Sequence, residues 1–252
     1  MKKGTKILLF SFGGLTFACL IGLAVTGWQI GWGPFAFLFK GYEGEIKAIE
    51  QKYDALARRN EIVFYGASNF RLWKEMDEDM FPYVVQNHGF GGSTDQDLLD
   101  YADRLLFPYH PAIVVFQTGS NDCAKLKGTN DEIFEQVIAR KVKMFETFHE
   151  ALPNARFVVV SGILMPGRSQ YDEIIRRVNQ YLRDYAAENE YLYFVDAEEM
   201  TLDADGNHIP EMFISDGIHL THESRIRWAN EYIRPVLEKV LSEHPELEYL
   251  KR

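Results

Sequence analysis

The sequence predicts an α/β domain built on a five-stranded parallel sheet, preceded by an N-terminal transmembrane helix. After residue 60, short apolar runs alternate with longer amphipathic segments, and this repetition is typical of a parallel sheet covered on both faces. Before residue 40, a long stretch contains no charged side chain. The 252 residues, of which 46% are hydrophobic and 25% charged, otherwise have the composition of a globular protein.

The N-terminal segment differs from the rest of the chain in charge. Residues 1–40 contain four lysines and no acidic residue, a formal charge of +4, whereas the remainder carries −14. The stretch 7–25 is apolar and long enough to cross a bilayer as a helix. Trp28 and Trp32 follow it in the manner of an interfacial aromatic belt. We therefore expect residues 1–40 to be a membrane anchor, with residues 7–30 in contact with the membrane.

The first lysines also predict the orientation of this anchor. Lys2, Lys3 and Lys6 place the N-terminus in the cytoplasm by the positive-inside rule. We therefore expect a single-pass protein of the cell membrane, with everything after the aromatic belt on the extracytoplasmic side. The alternative is a cleaved signal peptide and a secreted protein. Ala24-Val25-Thr26 only faintly resembles a cleavage site, and the apolar core exceeds the roughly 7 to 15 residues of such peptides.

Residues 41–60 are predicted to form an amphipathic connecting helix. Its apolar residues recur at intervals of three and four: Ile46, Ile49, Tyr53 and Leu56. The rest of the chain, residues 61–252, is predicted to be one α/β domain, because no repeat, linker or second change in composition divides it. With a net charge of −10, the protein has no generic basic footprint for nucleic acid.

The elements of the α/β domain follow from its apolar pattern. The predicted strands are Ile62 to Tyr65, Tyr83 to Gln86, Ala112 to Gln117, Phe157 to Val160 and Tyr191 to Val195. The predicted helices are Asp95 to Leu106, Asp131 to Leu152, Tyr171 to Glu188 and Glu223 to Leu241. In such sheets, ligands bind outside the carboxyl ends of the strands, so the segments after the strands are the first place to look for chemistry.

The first two strands are followed by segments suited to a reactive site. Gly66-Ala67-Ser68 places a serine at a strand-to-helix turn, where developing negative charge is favoured. Asn87 to Gly92 is rich in glycine, which lets the backbone approach a ligand closely. Taken alone, a helix cap and a flexible turn would explain these residues equally well or better.

Two later segments complete the pattern. Gly119-Ser120-Asn121-Asp122 follows the third strand, and its Asn121 amide can donate to an oxyanion. Asp216 lies three residues before His219, so the carboxylate can accept from one ring nitrogen and leave the other as a general base. Turns are an alternative for each segment. Four such segments in order, each after a strand, indicate a site.

In combination, these segments resemble the four sequence blocks of the SGNH hydrolases, also called GDSL esterases and lipases. The resemblance covers about residues 61–242. It implies a flavodoxin-like three-layer α/β/α fold and a serine-dependent attack on an ester that needs no metal and no cofactor. The chain is accordingly expected to be a membrane-anchored member of this family.

The resemblance also implies the roles of individual residues. Ser68 is the implied nucleophile, His219 the base and Asp216 its orienting carboxylate. The implied oxyanion hole consists of the Ser68 N–H, the Gly92 N–H and the Asn121 side chain. Gly92 is preferred to its neighbour because the family's glycine lies five residues after the asparagine of that block. The family's aspartate before the serine is replaced by alanine at position 67, which puts the local turn geometry in doubt but leaves the triad intact.

The expected function is hydrolysis of a carboxylic ester, as by an enzyme of the carboxylesterase type. The substrate would be a small-molecule, carbohydrate or lipid ester, as for a carbohydrate deacetylase or a lysophospholipase-like enzyme. The alternative is an envelope carbohydrate O-acyltransferase that uses the same Ser-His-Asp site. Acyl chain length, the alcohol and the oligomeric state are left open by the sequence.

Two further interpretations concern residues near this site. His219, His222 and His208 suggest a metal hydrolase, but no H-E-x-x-H motif accompanies them, so no metal ligand is predicted. The pocket walls are expected from the loops after Gly92 and around residues 125–129 and 165–170. The candidate lining residues, for which packing is at least as good an explanation, are His88, Phe90 and Met165.

Overall fold

The computed structural model describes residues 41–252, and the predicted anchor, residues 1–40, lies outside the described residues. The chain divides into two units, Met1–Gly44 and Glu45–Arg252, and the second contains the sheet and the candidate site. Across residues 41–252, no helix combines the length and the apolar character needed to span a bilayer.

Five parallel strands form the sheet, in the order β2-β1-β3-β4-β5. They are β1 (Ile62–Gly66), β2 (Val85–Asn87), β3 (Ile113–Gln117), β4 (Arg156–Val160) and β5 (Leu192–Val195). In the register, Ile62 of β1 pairs with Val85 of β2 and with Ile113 of β3. Every residue of β1 and β3 is buried, as expected for strands covered on both faces. The predicted five-stranded parallel sheet is confirmed.

Helices cover both faces of the sheet. They are α1 (Glu43–Lys52), α2 (Ser68–Arg71), α3 (Met76–Asp79), α4 (Asp95–Leu105), α5 (Ser120–Lys125), α6 (Asn130–Ala151), α7 (Asp172–Ala187), α8 (His222–Trp228) and α9 (Arg234–Glu243). Successive strand residues point to opposite faces. Phe64 joins the core that contains Trp228 of α8 and Leu237 of α9, whereas Tyr65 and its neighbour Phe116 pack on Phe148 of α6.

Three predicted elements differ from the observed ones by more than one residue. The connecting helix ends at Lys52, so Leu56 lies in the following turn with 79% of its surface exposed, although Ile46 and Ile49 are buried as expected. Strand β2 begins two residues late, because Tyr83 forms an isolated bridge with Lys251 instead.

The predicted C-terminal helix is also divided. A π-helical turn, Ala229–Ile233, separates α8 from α9. Pro235 lies in the first turn of α9, where its missing N–H costs nothing, but it cannot donate the backbone hydrogen bond that an uninterrupted α-helix would require at this position. Apolar periodicity continues through such an interruption, which is why the sequence did not reveal it.

The strand order determines where loops meet. The chain passes from β1 to β2 on one side of β1 and then to β3 on the other side. The direction in which strands are added to the sheet therefore reverses between β1 and β3. The loops that follow these two strands diverge at their carboxyl ends and open a crevice, which is where open α/β sheets bind ligands. Ser68 follows β1 and Asn121 follows β3 at this edge.

Candidate active site

Ser68 is the first residue of α2, two positions after the end of β1. The end of β1 requires glycine at position 66, because a Cβ atom on Gly66 would lie 2.5 Å from the carbonyl oxygen of Gln117 on β3. Ala67, which replaces the family's aspartate, is buried in an extended conformation. Its side chain makes no capping hydrogen bond, so the N–H groups at the start of α2 have no side-chain acceptor there.

Ser68, His219 and Asp216 form a continuous chain of hydrogen bonds. Ser68 Oγ lies 2.7 Å from His219 Nε2, and His219 Nδ1 lies 2.6 Å from Asp216 Oδ2. Because an ionised carboxylate only accepts, Nδ1 carries the proton and Nε2 is left to accept from the serine hydroxyl. This arrangement can take the proton of Ser68 as the oxygen attacks an electrophilic carbon.

The Asp216 carboxylate is stabilised in its charged form by its own loop. Its other oxygen, Oδ1, accepts from the backbone N–H of Ile218 at 2.8 Å and of His219 at 3.0 Å. Burial alone would raise the pKa of Asp216, but these hydrogen bonds and the one from the imidazole together hold the pKa below its usual value. The group that orients His219 is therefore charged at neutral and mildly acidic pH.

Two asparagines fix the short helix α2 against its surroundings. Asn69 Oδ1 accepts from the backbone N–H of Leu220, the residue after the histidine, at 3.2 Å. Asn87 Nδ2 donates to the carbonyl oxygens of Phe70 at 2.7 Å and of Trp73 at 3.1 Å. The first asparagine ties the serine to the histidine loop, and the second binds carbonyl groups near and just beyond the C-terminal end of α2.

Asn121 is joined to the glycine-rich loop. Its Nδ2 donates to the carbonyl oxygen of Ser93, the residue after Gly92, at 2.9 Å. Gly92 has a φ of +74°, in the region that favours glycine, and its carbonyl oxygen accepts from Lys125 Nζ at 2.7 Å. The structure thus places Asn121 beside the loop that contains Gly92, at the same edge of the sheet as Ser68.

A buried ionic cluster lies behind Asn121. Asp122 is fully buried and accepts from the backbone N–H of Asp95 at 3.1 Å. The Asp95 carboxylate lies 3.1 Å from Lys141 Nζ and also accepts from the Thr118 hydroxyl. Burial and the negative charge of Asp95 raise the pKa of Asp122 to about 7, against the attraction of Lys141. This cluster holds the start of α4 and the middle of α6 to the segment that carries Asn121.

Arg168 is a residue of this site that the sequence did not indicate. Its Nη1 atom donates to Ser120 Oγ and to Asn121 Oδ1, in both cases at 2.9 Å. Only its loop, around residues 165–170, had been expected near the site. A single arginine in a loop forms no motif, and its partners lie 48 and 47 positions away in the sequence, so no local pattern could have revealed it.

The candidate lining residues are packing residues. His88, Phe90 and Met165 are at most 1% exposed. His88 Nδ1 lies 2.6 Å from the carbonyl oxygen of Leu105, and burial lowers the pKa of His88 to about 4, so the ring is neutral. A cavity of about 1100 Å³ lies elsewhere, along β5, and Ser68, Asp216 and His219 do not line it.

The histidines of the metal alternative are engaged separately. His222 Nε2 lies 2.8 Å from Asp79 Oδ2, and His208 Nε2 lies 3.0 Å from Asp172 Oδ2, whereas the third histidine pairs with Asp216 as described. In the part of the chain that the structure describes, no group of three or more potential ligand side chains is arranged around a common point.

Solved structures with the same fold come from several bacteria. A Streptococcus pneumoniae protein whose name refers to platelet activating factor is 19% identical, with a TM-score of 0.63 over 78% of this chain and 95% of that chain. A Bacteroides fragilis protein named as an acylhydrolase is 22% identical, with a TM-score of 0.62 over 77% and 96%. A GDSL-like lipase from Bacteroides thetaiotaomicron is 23% identical, with a TM-score of 0.58 over 79% and 97%. At these identities, the likeness shows the fold.

The family itself follows from the sequence. None of the curated proteins compared with this chain matches it. The profile of the GDSL-like lipase/acylhydrolase family, by contrast, matches residues 64–224. This match spans more than half of the chain and includes Ser68, Asn121, Asp216 and His219. The chain therefore belongs to the GDSL-like lipase/acylhydrolase family, a family of ester-hydrolysing enzymes.

Proposed function

We propose that this protein hydrolyses a carboxylic ester through an acyl-enzyme formed on Ser68. The observation that carries the proposal is the hydrogen-bonded chain from Ser68 Oγ through His219 to Asp216, with distances of 2.7 and 2.6 Å. These are distances at which a proton can pass from hydroxyl to imidazole. Asp216 orients the ring and stabilises the imidazolium that results.

In the proposed reaction, Ser68 Oγ attacks the carbonyl carbon of the ester while His219 Nε2 takes its proton. The tetrahedral oxyanion is bound by the Ser68 N–H, the Gly92 N–H and the Asn121 side chain. His219 then protonates the departing alcohol, and the acyl group remains on the serine. Water, deprotonated by the same imidazole, attacks the acyl-enzyme and releases the acid.

Labelling with a fluorophosphonate tests the nucleophile. The full-length protein should be labelled, Ser68→Ala should abolish the label, and Ser242→Ala, which changes an exposed serine of α9, should retain it. Esterase activity should also persist after treatment with EDTA. Labelling of Ser68→Ala would remove Ser68 from this role, and loss of activity in EDTA with recovery on addition of a metal would favour the metal hydrolase.

For the substrate, we propose a neutral ester, such as an acetylated carbohydrate or a lysophospholipid-like lipid ester. The acidic charge of the described part of the chain slightly disfavours strongly anionic substrates.

Hydrolysis rates for a series from acetyl to long-chain esters of one alcohol would give the acyl preference. Product analysis with and without a sugar acceptor separates hydrolysis from O-acyl transfer, since a transferase forms the acylated sugar at the expense of the free acid.

We also propose that residues 1–40 anchor the enzyme in the cell membrane, with residues 41–60 as the connection and residues 61–252 as the extracytoplasmic hydrolase domain. The basic, then uncharged, then aromatic order of the N-terminus supports this topology. Protease added to intact spheroplasts should remove the hydrolase domain and leave a membrane-bound N-terminal fragment. A mature protein in the medium that begins near Thr26 would instead indicate cleavage of a signal peptide.

A further inference from the structure

The loop after β4 touches both halves of the candidate active site. The Gly167 N–H donates to the carbonyl oxygen of Gly217, in the loop between Asp216 and His219, at 2.9 Å. The approach is close enough to require glycine, since a Cβ atom on Gly167 would lie 2.7 Å from the carbonyl oxygen of Asp216. The next residue, Arg168, is thereby held at a fixed place relative to the triad.

Arg168 reaches from this loop to the other half of the site. Its Nη1 atom donates to Ser120 Oγ and Asn121 Oδ1 at 2.9 Å. Burial lowers the pKa of Arg168 from its ordinary value, but a guanidinium remains charged in proteins. No carboxylate of residues 41–252 forms an ion pair with it, in contrast to Arg176 and Arg177 on α7, which pair with Glu198 and Asp131. Its Nη1 atom instead contacts two neutral groups, the Ser120 hydroxyl and the Asn121 amide oxygen.

This contact determines which way the amide of Asn121 faces. A side-chain amide has one acceptor and two donors, and with its oxygen bound to Arg168 the NH₂ group must point away from the loop after β4. One N–H donates to Ser93, and the other has no partner among the described residues. A flipped amide would set its NH₂ group against the guanidinium and its oxygen against the Ser93 carbonyl, leaving both contacts unfavourable.

We infer that Arg168 is a positioning residue for the oxyanion hole: it holds Asn121 with one N–H directed at the developing oxyanion and, by its charge on the amide oxygen, strengthens that N–H as a donor. Charge-assisted hydrogen bonds are stronger than neutral ones, and hydrogen bonds in series polarise each other. The inference rests on the proposed function, because it assumes that Asn121 donates to the oxyanion.

Substitution of Arg168 should affect turnover more than substrate binding. In Arg168→Gln, kcat should fall about 10-fold or more, with KM changed less than about threefold, as for residues that orient a reactive group through a hydrogen bond. Arg168→Lys, which keeps the charge and one donor, should recover part of the loss. Arg177→Gln makes the same substitution on the surface of α7 and should leave kcat unchanged. Thermal melting tests whether each variant is folded.

A double-mutant cycle in the full-length protein decides whether Arg168 acts through Asn121. In the Asn121→Ala background, Arg168→Gln should lower kcat by less than about twofold, because the amide that it positions is gone. An equal loss in both backgrounds, or a loss that appears only in KM, would overturn the inference while leaving Asn121 in the oxyanion hole. If Asn121→Ala itself leaves kcat nearly unchanged, the proposed oxyanion hole fails instead.

Discussion

At the scale of single residues, the site contains side chains whose polar groups are nearly all committed. Asp216 uses one oxygen for the His219 ring and the other for two backbone N–H groups. Asn121 is bound at its oxygen by a cation and at its nitrogen by the Ser93 carbonyl. Side chains held in this way need little reorganisation when charge develops during the reaction, and such preorganisation is the main source of electrostatic catalysis.

Asn121→Ala tests the proposed oxyanion hole. Removing one donor to an oxyanion costs about 100-fold or more in kcat, since the donor acts in a site shielded from water. Steady-state kinetics with an activated ester gives the measurement, and Asn154→Ala, in an exposed turn, is the control. A loss smaller than about threefold would exclude Asn121 from the hole.

Asp216→Asn tests the orienting carboxylate. The amide is nearly the same shape but lacks the charge that holds the imidazole proton on Nδ1, so kcat near pH 7 should fall by up to about 10⁴-fold. Since hydrogen bonds keep the pKa of Asp216 below its usual value, protonation of Asp216 should not lower wild-type activity between pH 7 and 5. Asp205→Asn in the exposed hairpin serves as control, and unchanged kcat in Asp216→Asn would contradict the assignment.

At the scale of elements, the loops of the site are held by contacts between helices and not by their own hydrogen bonds alone. Lys141, on α6, is 3% exposed and lies 3.1 Å from the Asp95 carboxylate in the first turn of α4. An acidic group at that position also interacts favourably with the helix dipole. The pair links two helices on one face of the sheet to Thr118, at the start of the loop that leads to Asn121.

Lys141→Met should therefore destabilise the whole fold. The substitution leaves the buried Asp95 carboxylate without its cation, and breaking a buried ion pair in this way costs about 3–5 kcal/mol in the free energy of unfolding. Urea denaturation measures the loss, with Lys143→Met, an exposed lysine of the same helix, as the matched control. Asp95→Asn combined with Lys141→Met should recover part of the stability, because the uncompensated charge is then removed. Equal stability of Lys141→Met and Lys143→Met would contradict the ion pair's role.

At the scale of the whole molecule, the sheet order brings residues that are far apart in sequence to one edge of the sheet. Buried polar groups of the fold also make its stability depend on pH, and His88 is an example. It is fully buried between Tyr53 and Tyr109, and burial lowers its pKa to about 4, against the effect of the Leu105 carbonyl. The unfolded chain takes up a proton at this histidine below about pH 6.5, which the folded protein does not until about pH 4.

Stability should therefore fall as the pH is lowered from 6.5 toward 4, by at most about 1.4 kcal/mol per pH unit for this one group. The contribution of His88 is fully present above pH 6.5. Urea denaturation at pH 7.0, 6.0 and 5.0 should show a smaller decrease for His88→Gln than for the wild type. Asn154→Ala, which changes no titratable group, should follow the wild type. Parallel pH dependence of His88→Gln and the wild type would rule out His88 as the source.

Much of the fold was predictable because its signals are local. Five apolar runs separated by helical patterns were enough to predict the parallel sheet, and the segments after its strands pointed to Ser68, Asn121, Asp216 and His219. Boundaries were less predictable. Leu56 continues the apolar spacing of α1 beyond the end of that helix, and Pro235 falls within a pattern that runs on through it. Periodicity records which face of a segment is apolar, but not where the backbone hydrogen bonds stop.

By itself, the sequence determined the class of fold, the family and the residues at the strand ends, since each depends on short stretches whose chemistry can be read in place. Only the tertiary structure decided that Ser68 Oγ lies 2.7 Å from His219 Nε2, that His88 and Met165 are buried, and that Arg168 holds Asn121. The physical reason is that hydrogen bonds and burial at the site join segments up to 151 positions apart, and packing of the whole sheet sets those distances.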